Sequence, residues 1–298
     1  MTMQTEAIAP PKSQIWETIK LMRHNRLSIL GVFIILFLII FSFIGDSIAP
    51  YDPIAMDISA RLQPPSWGHI FGTDDFGRDV FSRVIVATKV SLNVGIISVG
   101  ISLTLGTIFG AISGYYGGWL DEIIMRIMDI LFAFPAILLA IAILAALGPG
   151  VENAMIAIGI VYTPIFARIT RGSVITVREE VYVDAARCIG ANDARIIFFH
   201  ILPNVIAPII VETTLSLAFA ILSEAALSFL GLGTQPPDPS WGRMLSESRG
   251  FIQDAPWLGI FPGLVIMFTV MGFNFLGDGL RDALDPQMRD VLESRGTN

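Results

Sequence analysis

Long uncharged apolar runs set the strongest limit on the fold of this sequence. Residues 27–45 and 90–120 contain no Asp, Glu, Lys or Arg. About 20 apolar residues in a helix cross the roughly 30 Å hydrocarbon layer of a bilayer, so each run predicts a membrane-spanning helix. Hydrophobic residues make up 53% of the chain and charged residues only 15%, against about a quarter in soluble domains. The chain is therefore predicted to be an all-α membrane protein.

Four further apolar runs bring the predicted number of transmembrane helices to six. They cover residues 123–147, 154–169, 205–232 and 259–277. The second of these is short, and we expect Arg168 to extend its charged end to the interface. Pro135 lies inside the third predicted transmembrane helix, where we expect it to kink a continuous helix.

The distribution of positive charge predicts which side of the membrane each loop faces. With the N-terminus inside, most of the 19 Lys and Arg residues fall in the N-terminal segment, the loop after the fourth helix and the C-terminal tail. Lys and Arg are enriched in cytoplasmic loops. We therefore expect both termini, and residues 179–204 between the fourth and fifth helices, to lie in the cytoplasm.

The composition argues against several classes of function. A formal net charge of −7 without a basic cluster argues against a nucleic acid partner. The single cysteine, Cys188, excludes an internal disulfide. The histidines His24, His69 and His200 are far apart in sequence, so no metal site is expected.

The polar segment at residues 179–204 carries its own helix signals. Acidic residues at its start suit a helix N-terminus, and Gly190 is a typical stop for the helix that follows. Asn192 is a suitable cap for a second helix. Pro203 is expected to end that helix, because Leu202 before it is displaced from the helical region. The segment predicts a compact helix-turn-helix.

The same segment resembles the EAA loop of ABC importer permeases. The matching positions are Asp184, Ala185, Ala186, Gly190, Leu202 and Pro203. In that family the loop is cytoplasmic and docks into the ATPase subunit, which is the role the resemblance implies here. Asp184 stands where Glu is usual and His200 where Ile is usual. Neither departure disturbs the predicted helices.

Three more segments extend the resemblance to one branch of that family. They are GTDDFGRDVFSR at 72–83, EAALSFLGLG at 224–233 and PPDPSWGRML at 236–245. Together with the loop they resemble the C-type permease subunit of dipeptide and oligopeptide ABC importers, within the peptide/nickel family. The resemblance implies a type I permease fold in a bacterial or archaeal cell (inner) membrane. It also implies three kinds of partner: a homologous second permease, two ABC ATPase subunits and an extracytoplasmic substrate-binding protein.

This resemblance and the apolar runs together give an expected domain layout. We expect a cytoplasmic amphipathic segment at 1–26, the first transmembrane helix at 27–48, an extracytoplasmic loop at 49–88, an ABC transmembrane type-1 domain of five helices at 89–280 and a cytoplasmic tail at 281–298. Within the loop, residues 79–86 are predicted to form an interfacial helix. The charged segment at 72–83 is interpreted as an amphipathic belt at the outer interface, in preference to a substrate contact.

The sequence carries no recognisable catalytic motif. A P-loop needs a Gly-rich turn followed by Lys and Ser or Thr, and none of Lys12, Lys20 and Lys89 follows such a turn. No Ser-His-Asp, zinc or paired-carboxylate pattern stands out. We predict a non-catalytic translocation subunit without a cofactor or metal of its own, with ATP and Mg on the partner ATPases.

Two carboxylates in the fifth predicted transmembrane helix are candidates for the substrate path. Glu212 and Glu224 are about 18 Å apart along a helix that rises about 1.5 Å per residue, so they cannot form one acid–base pair. Glu212 is the better candidate for the path, while Glu224 fits a structural pairing equally well. Asn93 and Asn274 are weaker candidates. In the outer loops, Trp67, Pro237 and Trp241 are predicted contacts for the binding protein.

Other functions remain open from the sequence. Nickel and glutathione importers share these motifs, so either is an alternative substrate class. An ion-coupled secondary carrier would use Glu212 and Glu224 as proton sites and would dock no ATPase. A structural or sensory membrane protein would show no substrate-dependent ATPase stimulation.

Overall fold

The structure is a computed structural model that describes residues 21–22 and 25–284. The predicted amphipathic segment at 1–26 and the predicted tail at 281–298 lie almost wholly outside those residues. The described part of the chain is helical, and its one β-bridge joins Thr73 to Asp79 in the loop after the first helix.

Ten α-helices follow one another along the described chain. They are α1 Arg26–Ile48, α2 Val80–Tyr116, α3 Gly118–Phe132, α4 Ala136–Leu147, α5 Val151–Arg178, α6 Val181–Cys188, α7 Asp193–Ile196, α8 Leu202–Phe229, α9 Trp241–Ser248 and α10 Trp257–Leu284. A π-helical turn, Ile197–Ile201, joins α7 to α8 without a break, and a short 3₁₀ turn, Ile58–Ala60, lies in the loop after α1.

The described helices account for the six predicted transmembrane helices. Five helical stretches are long and apolar enough to cross a membrane: α1, α2, α5, α10 and the stretch Asp193–Phe229 that contains α8. The pair α3 and α4 supplies a sixth when it is counted as one membrane-spanning unit. The all-α membrane fold predicted from the apolar runs is therefore confirmed.

The third predicted transmembrane helix is not a kinked continuous helix, and that prediction is wrong. The axes of α3 and α4 differ by 93° across the break between Phe132 and Ala136. Pro135 begins a new helix, because its carbonyl oxygen accepts from the N–H groups of Leu138 and Leu139. A proline has no N–H and keeps the preceding residue out of the α conformation, so Phe134 interrupts the helix completely.

The second transmembrane helix begins earlier than predicted. The interfacial helix expected at 79–86 is the first part of α2, which continues unbroken to Tyr116. The side chain of Asp79 caps this helix by accepting from the N–H of Ser82 at 2.8 Å. The charged Arg83 looks like a loop residue in the sequence, but its charge is buried and paired.

Pro203 does not end the helix that begins at Asp193, which corrects a third prediction. The chain widens into the π turn, where the N–H of Leu202 donates to the carbonyl oxygen of Ile197, five residues earlier. A wider turn makes room for the proline ring, which would otherwise clash with the carbonyl four residues before it. The carbonyl of His200 accepts from the side-chain amide of Asn204 at 2.7 Å.

The core is centred on the contact between α2 and α5. A Cβ atom added to Gly106 would lie 2.4 Å from the Cβ of Phe166, and one added to Gly110 would lie 2.4 Å from the carbonyl oxygen of Ala167. A similar approach joins α1 to α10, where a Cβ on Gly31 would lie 2.7 Å from the carbonyl oxygen of Gly272. Small residues let membrane helices pack backbone to backbone in this way.

Candidate functional site

The first helix of the predicted coupling loop, α6, ends in a Schellman motif. The N–H of Gly190 donates to the carbonyl oxygen of Arg187 at 2.9 Å, and the N–H of Ala191 donates to that of Ala186 at 3.1 Å. Gly190 has a φ of +83°, a conformation that favours glycine. The space around its α-carbon is open, so the backbone conformation is what requires a glycine here.

The second helix of the loop begins as the sequence predicted. The side chain of Asn192 accepts from the N–H of Arg195 at 2.8 Å and caps α7. The helix-turn-helix is therefore formed by its local signals up to the π turn, after which it continues into α8.

The six predicted coupling positions do not all face outwards. Asp184, Ala185, Gly190 and Pro203 are exposed, Leu202 is half-buried and Ala186 is buried. The resemblance implies that both alanines belong to the docking loop, but Ala186 packs into the core of its own chain. Only Ala185 of the pair is available to a partner in this structure.

Large apolar side chains surround the exposed coupling positions. We call Val181, Ile189, Phe198 and Phe199 the apolar coupling face, and their exposed fractions are 82%, 85%, 65% and 73%. These positions lie on the segment that charge counting places in the cytoplasm. Exposed apolar residues gathered on one short polar loop are typical of a protein–protein contact.

Polar contacts hold the coupling loop against the neighbouring helix ends. Arg178 donates to the carbonyl oxygens of Gly114 at 3.0 Å and Tyr115 at 3.1 Å. The hydroxyl of Tyr115 donates to Asp193 at 2.8 Å, and the guanidinium of Arg187 lies 5.7 Å from the centre of its ring. The loop is therefore attached to the end of α2 from both of its helices.

Two further ion pairs lie at the same end of the helices. Arg171 on α5 forms two hydrogen bonds of 2.6 Å with Asp121 on α3. Arg168 pairs with Asp129 at 2.8 Å and lies 4.3 Å from the centre of the Phe132 ring. These pairs join α3 to α5 on the side where α3 meets α2.

A buried cluster of charged side chains lies at the end of the helices opposite the coupling loop. Arg78 donates to Asp74 at 2.6 Å and to Glu247 at 3.1 Å, and Arg83 donates to the same oxygen of Glu247 at 3.2 Å. Arg243, one turn before Glu247 in α9, donates to its other oxygen at 3.0 Å. We call these residues the outer charge cluster. It joins the loop after α1 to α2 and α9.

The outer charge cluster replaces the amphipathic belt predicted for residues 72–83. The side chains of Arg78, Arg83 and Asp74 are almost fully buried and therefore cannot line a lipid interface. Burial, followed by repulsion from Asp74, raises the pKa of the neighbouring Asp75 carboxyl above its ordinary value. The sequence showed the charges but not their partner in α9, which lies far along the chain.

Glu224 lies inside the protein and not on a surface that a substrate reaches. One oxygen of its carboxylate accepts from the hydroxyl of Ser228 at 2.6 Å, and the other oxygen is buried without a hydrogen-bond partner among the described residues. Ser228 in turn accepts from the N–H of Thr234 at 3.0 Å. Among the described residues, no cation pairs with Glu224. Through Ser228 the side chain is connected to the loop before α9, and together with its burial this favours the structural role.

The other path candidates are spread over three helices. Glu212 is half-buried on α8 and accepts from Ser216 at 2.9 Å. Asn93 on α2 is exposed and Asn274 on α10 is half-buried. Glu212 and Glu224 each bond to a serine of their own helix, so the structure does not join them.

The three predicted binding-protein contacts differ in exposure. Trp67 is fully exposed and Pro237 is exposed. Trp241 is fully buried, and its indole N–H donates to the carbonyl oxygen of Val84 at 3.1 Å. A buried indole cannot present its ring to a partner, so Trp241 is corrected from a contact residue to a support for the outer end of α2.

Within the described residues no group of three metal-ligating side chains occurs.

Comparison with solved structures identifies the fold class. The inward-facing MetNI methionine ABC transporter, in its native crystal form, matches with a TM-score of 0.57 and 17% identity over 68% of this chain and 96% of that one. An amino acid ABC transporter crystallised with histidines matches with a TM-score of 0.52 and 15% identity over 68% and 94%. At these identities the likeness concerns the fold alone. The fold is the type I permease fold of ABC importers.

Sequence relatives place the chain within that class. Residues 106–290 match the model of the binding-protein-dependent transport system inner membrane component, and residues 13–65 match the N-terminal TM domain of oligopeptide transport permease C. The dipeptide transport system permease protein DppC of Alkalihalophilus pseudofirmus is 52% identical over 94% of both chains. The glutathione transport system permease protein GsiD of Pectobacterium atrosepticum is 43% identical over 96% of this chain and 95% of that one.

The chain belongs to the family of binding-protein-dependent transport system inner membrane components. It is a multi-pass permease subunit of an ABC transporter.

Proposed function

We propose that this chain is the membrane-spanning permease subunit of an ATP-driven importer of dipeptides or oligopeptides. The observation that carries the proposal is the 52% identity to a dipeptide transport system permease over 94% of both chains. An extracytoplasmic binding protein delivers the peptide, and the path lies between this subunit and a homologous second permease.

The ATPase docks on the apolar coupling face. The exposed Ile189 beside Gly190, and the exposed Ala185, leave an accessible surface on the segment expected in the cytoplasm. The chain itself has no P-loop, so two partner ATPases bind ATP and Mg and carry out the hydrolysis. This subunit does no chemistry. Nucleotide drives transport by favouring one of two permease conformations.

The domain layout predicted from the sequence completes the proposal. Both termini and the coupling loop lie in the cytoplasm of a bacterial or archaeal cell, with residues 89–280 forming the ABC transmembrane domain. The exposed Trp67 and Pro237 contact the binding protein on the outer side. Glu212 lines the path, because it is the half-buried carboxylate of the two on α8.

Reconstitution tests the function as a whole. The chain, its second permease and its ATPases are placed in proteoliposomes with ATP at the ATPase side and the binding protein outside. We expect dipeptide uptake that depends on the binding protein and is abolished by vanadate. Uptake that persists with vanadate and follows an imposed pH gradient would identify an ion-coupled carrier instead.

The docking surface has its own test in a matched pair of variants. Ile189→Asp places a charge on the apolar coupling face, whereas Ile252→Asp places one on an exposed isoleucine of the outer loop before α10. We expect Ile189→Asp to lose the ATPases during affinity purification and Ile252→Asp to retain them. Equal recovery of the ATPases with both variants would remove the coupling face from the proposal.

Glutathione is the second candidate substrate. The observation in its favour is the 43% identity to a glutathione permease over nearly the whole of both chains. Uptake assays with each labelled compound distinguish the cases: a dipeptide importer takes up labelled dipeptide, a glutathione importer labelled glutathione and a nickel importer labelled Ni²⁺. A Glu212→Gln variant that takes up peptides of every charge as wild type does would remove Glu212 from the path.

A further inference from the structure

The pair of helices α2 and α5 is built as a rigid unit at the end that carries the coupling loop. Gly106, Gly110 and Gly114 place the backbone of α2 directly against α5, and a Cβ on Gly114 would lie 2.9 Å from the carbonyl oxygen of Arg171. No side chain of these three positions lies between the helices. Neither helix can slide past the other without separating these backbone contacts.

Arg178 joins the coupling loop to this pair of helices. It is the last residue of α5, and it donates to the carbonyl oxygens of Gly114 and Tyr115 at the end of α2. The last carbonyls of a helix have no partner within the helix, and a positive charge beside them is favourable. Arg178 therefore closes the end of α2 and fixes the point where the loop begins.

Tyr115 makes the second connection, at the far side of the loop. Its hydroxyl donates to Asp193, the first residue of α7, at 2.8 Å. The Arg187 guanidinium of α6 lies over the same ring. Both helices of the loop are thus held to the end of α2.

The coupling loop is joined to α8 by fewer regular backbone hydrogen bonds than a continuous α-helix would have. It runs through the π turn, where Pro203 has no N–H to donate and a side chain, that of Asn204, satisfies the carbonyl of His200. A π turn inside an α-helix is rare, and kinks occur preferentially at such positions. The loop therefore has firm contacts on the α2 side and a deformable joint on the α8 side.

We propose that Arg178, Tyr115 and Asp193 form a clamp that makes the coupling loop one rigid body with α2 and α5. Movement of the ATPase is delivered to that body, and α8 turns relative to it at the π turn. This inference rests on the proposed function, since it needs an ATPase that moves the loop. The three residues are positioning residues: they touch neither peptide nor nucleotide.

Spin-label distances in the assembled complex test the clamp directly. In a Cys188→Ser background, one label is placed in the loop at Ala194→Cys and the second on α2 at Ile108→Cys or on α8 at Phe219→Cys, all exposed positions. Distances are measured without nucleotide and after trapping with ATP and vanadate. We expect the loop-to-α2 distance to stay the same in the two states and the loop-to-α8 distance to shift.

Releasing the clamp gives the second measurement. With Arg178→Gln and Tyr115→Phe combined, we expect the loop-to-α2 distance to become nucleotide-dependent and the number of peptides transported per ATP to fall several-fold. The ATPases remain bound, which separates this effect from a failure of assembly. Arg178→Lys keeps a cationic donor for the two carbonyls and restores the ratio. Tyr51→Phe, which loses a hydroxyl bond to Gly68 at the outer end, leaves it unchanged.

The possible results separate the clamp from the function on which it rests. A loop-to-α2 distance that shifts as much as the loop-to-α8 distance in the wild-type complex would overturn the clamp and leave the importer standing. An unchanged number of peptides transported per ATP in the variant that combines Arg178→Gln and Tyr115→Phe would also overturn the clamp alone. A wild-type chain that binds no ATPase, or whose distances ignore nucleotide, would overturn both.

Discussion

The two ends of this permease use charged residues in different ways. In the outer charge cluster the side chains of Arg83, Arg78 and Asp74 are only 1%, 4% and 7% exposed. At the coupling end, the side chains of Arg187 and its partner Asp184 are 41% and 65% exposed. Buried charges must stay paired, whereas exposed pairs cost little to break. The outer end is therefore a fixed platform, whereas the exposed pair of Arg187 and Asp184 at the coupling end can exchange its partners.

The largest expected effect comes from breaking the buried pairs of the platform. Arg83→Met keeps most of the apolar side chain but leaves Glu247 and Asp74 with one cation fewer in a buried site. Removing one partner of a buried pair costs about 3–5 kcal/mol. We expect a large drop in the thermal unfolding midpoint of the purified protein.

The control for this variant is an exposed pair at the same end of α2. Lys89 pairs with Asp46 at 3.2 Å, and both side chains are more than half exposed. Lys89→Met should change the stability by about 0–1 kcal/mol. Similar midpoints for Arg83→Met and Lys89→Met would contradict the distinction between a buried platform and exposed pairs.

An intermediate effect is expected from the packing that supports the coupling end. Gly110→Leu forces a side chain into the contact where a Cβ would already lie 2.4 Å from the carbonyl oxygen of Ala167. Overpacking of this kind typically costs about 1–3 kcal/mol. Gly100→Leu on the same helix meets nothing within 4 Å and serves as the control. Unfolding midpoints that fall equally for both variants would show that close packing of α2 on α5 is not the cause.

The smallest expected effect is a pH dependence at the edge of the outer charge cluster. Burial and the neighbouring Asp74 raise the pKa of Asp75. Stability from a carboxyl with a raised folded-state pKa is present below its unfolded pKa of about 3.9 and is lost as pH rises through the folded value. Asp75→Asn avoids that loss, so the variant should unfold at a higher temperature than wild type at neutral pH.

Acidification supplies the check on the sign. The difference between Asp75→Asn and wild type should close as pH falls toward the unfolded pKa, because the wild-type carboxyl then becomes neutral as well. A difference in midpoint that is constant with pH would mean that ionisation of Asp75 does not contribute.

The features that the sequence predicted correctly depend on neighbours close in the chain. Asn192 caps a helix by accepting from an N–H three residues later. Gly190 ends a helix with a bond to a residue three positions earlier, and Ala191 with a bond to a residue five positions earlier. The apolar runs predicted the membrane helices because hydrocarbon solvation acts on each helix along its own length. Such signals are complete within a short window of sequence.

The features that sequence reasoning missed depend on distant partners or on backbone geometry. The sequence predicts too late a start for α2. Nothing near Arg83 in the chain reveals its partner Glu247, which lies 164 positions further on. The sequence predicts a surface contact at Trp241 because nothing near it in the chain reveals the carbonyl of Val84, 157 positions away. The predictions for the two prolines are reversed. Pro135 is predicted to kink its helix but ends it, and Pro203 is predicted to end its helix but is accommodated by a wider turn.

That wider turn fixes the angular phase of everything that follows it in α8. A π turn holds one residue more than an α turn, and one residue corresponds to about 100° of rotation about the helix axis. If the same residues were wound as a regular α-helix from Ile197 onwards, α8 would be rotated by that angle relative to the coupling loop. The buried Glu224 would then leave its present position, and the faces that α8 presents to α2 and α10 would change together. The extra residue of this turn, more than its exposed side chains, therefore determines which face of α8 meets the neighbouring helices.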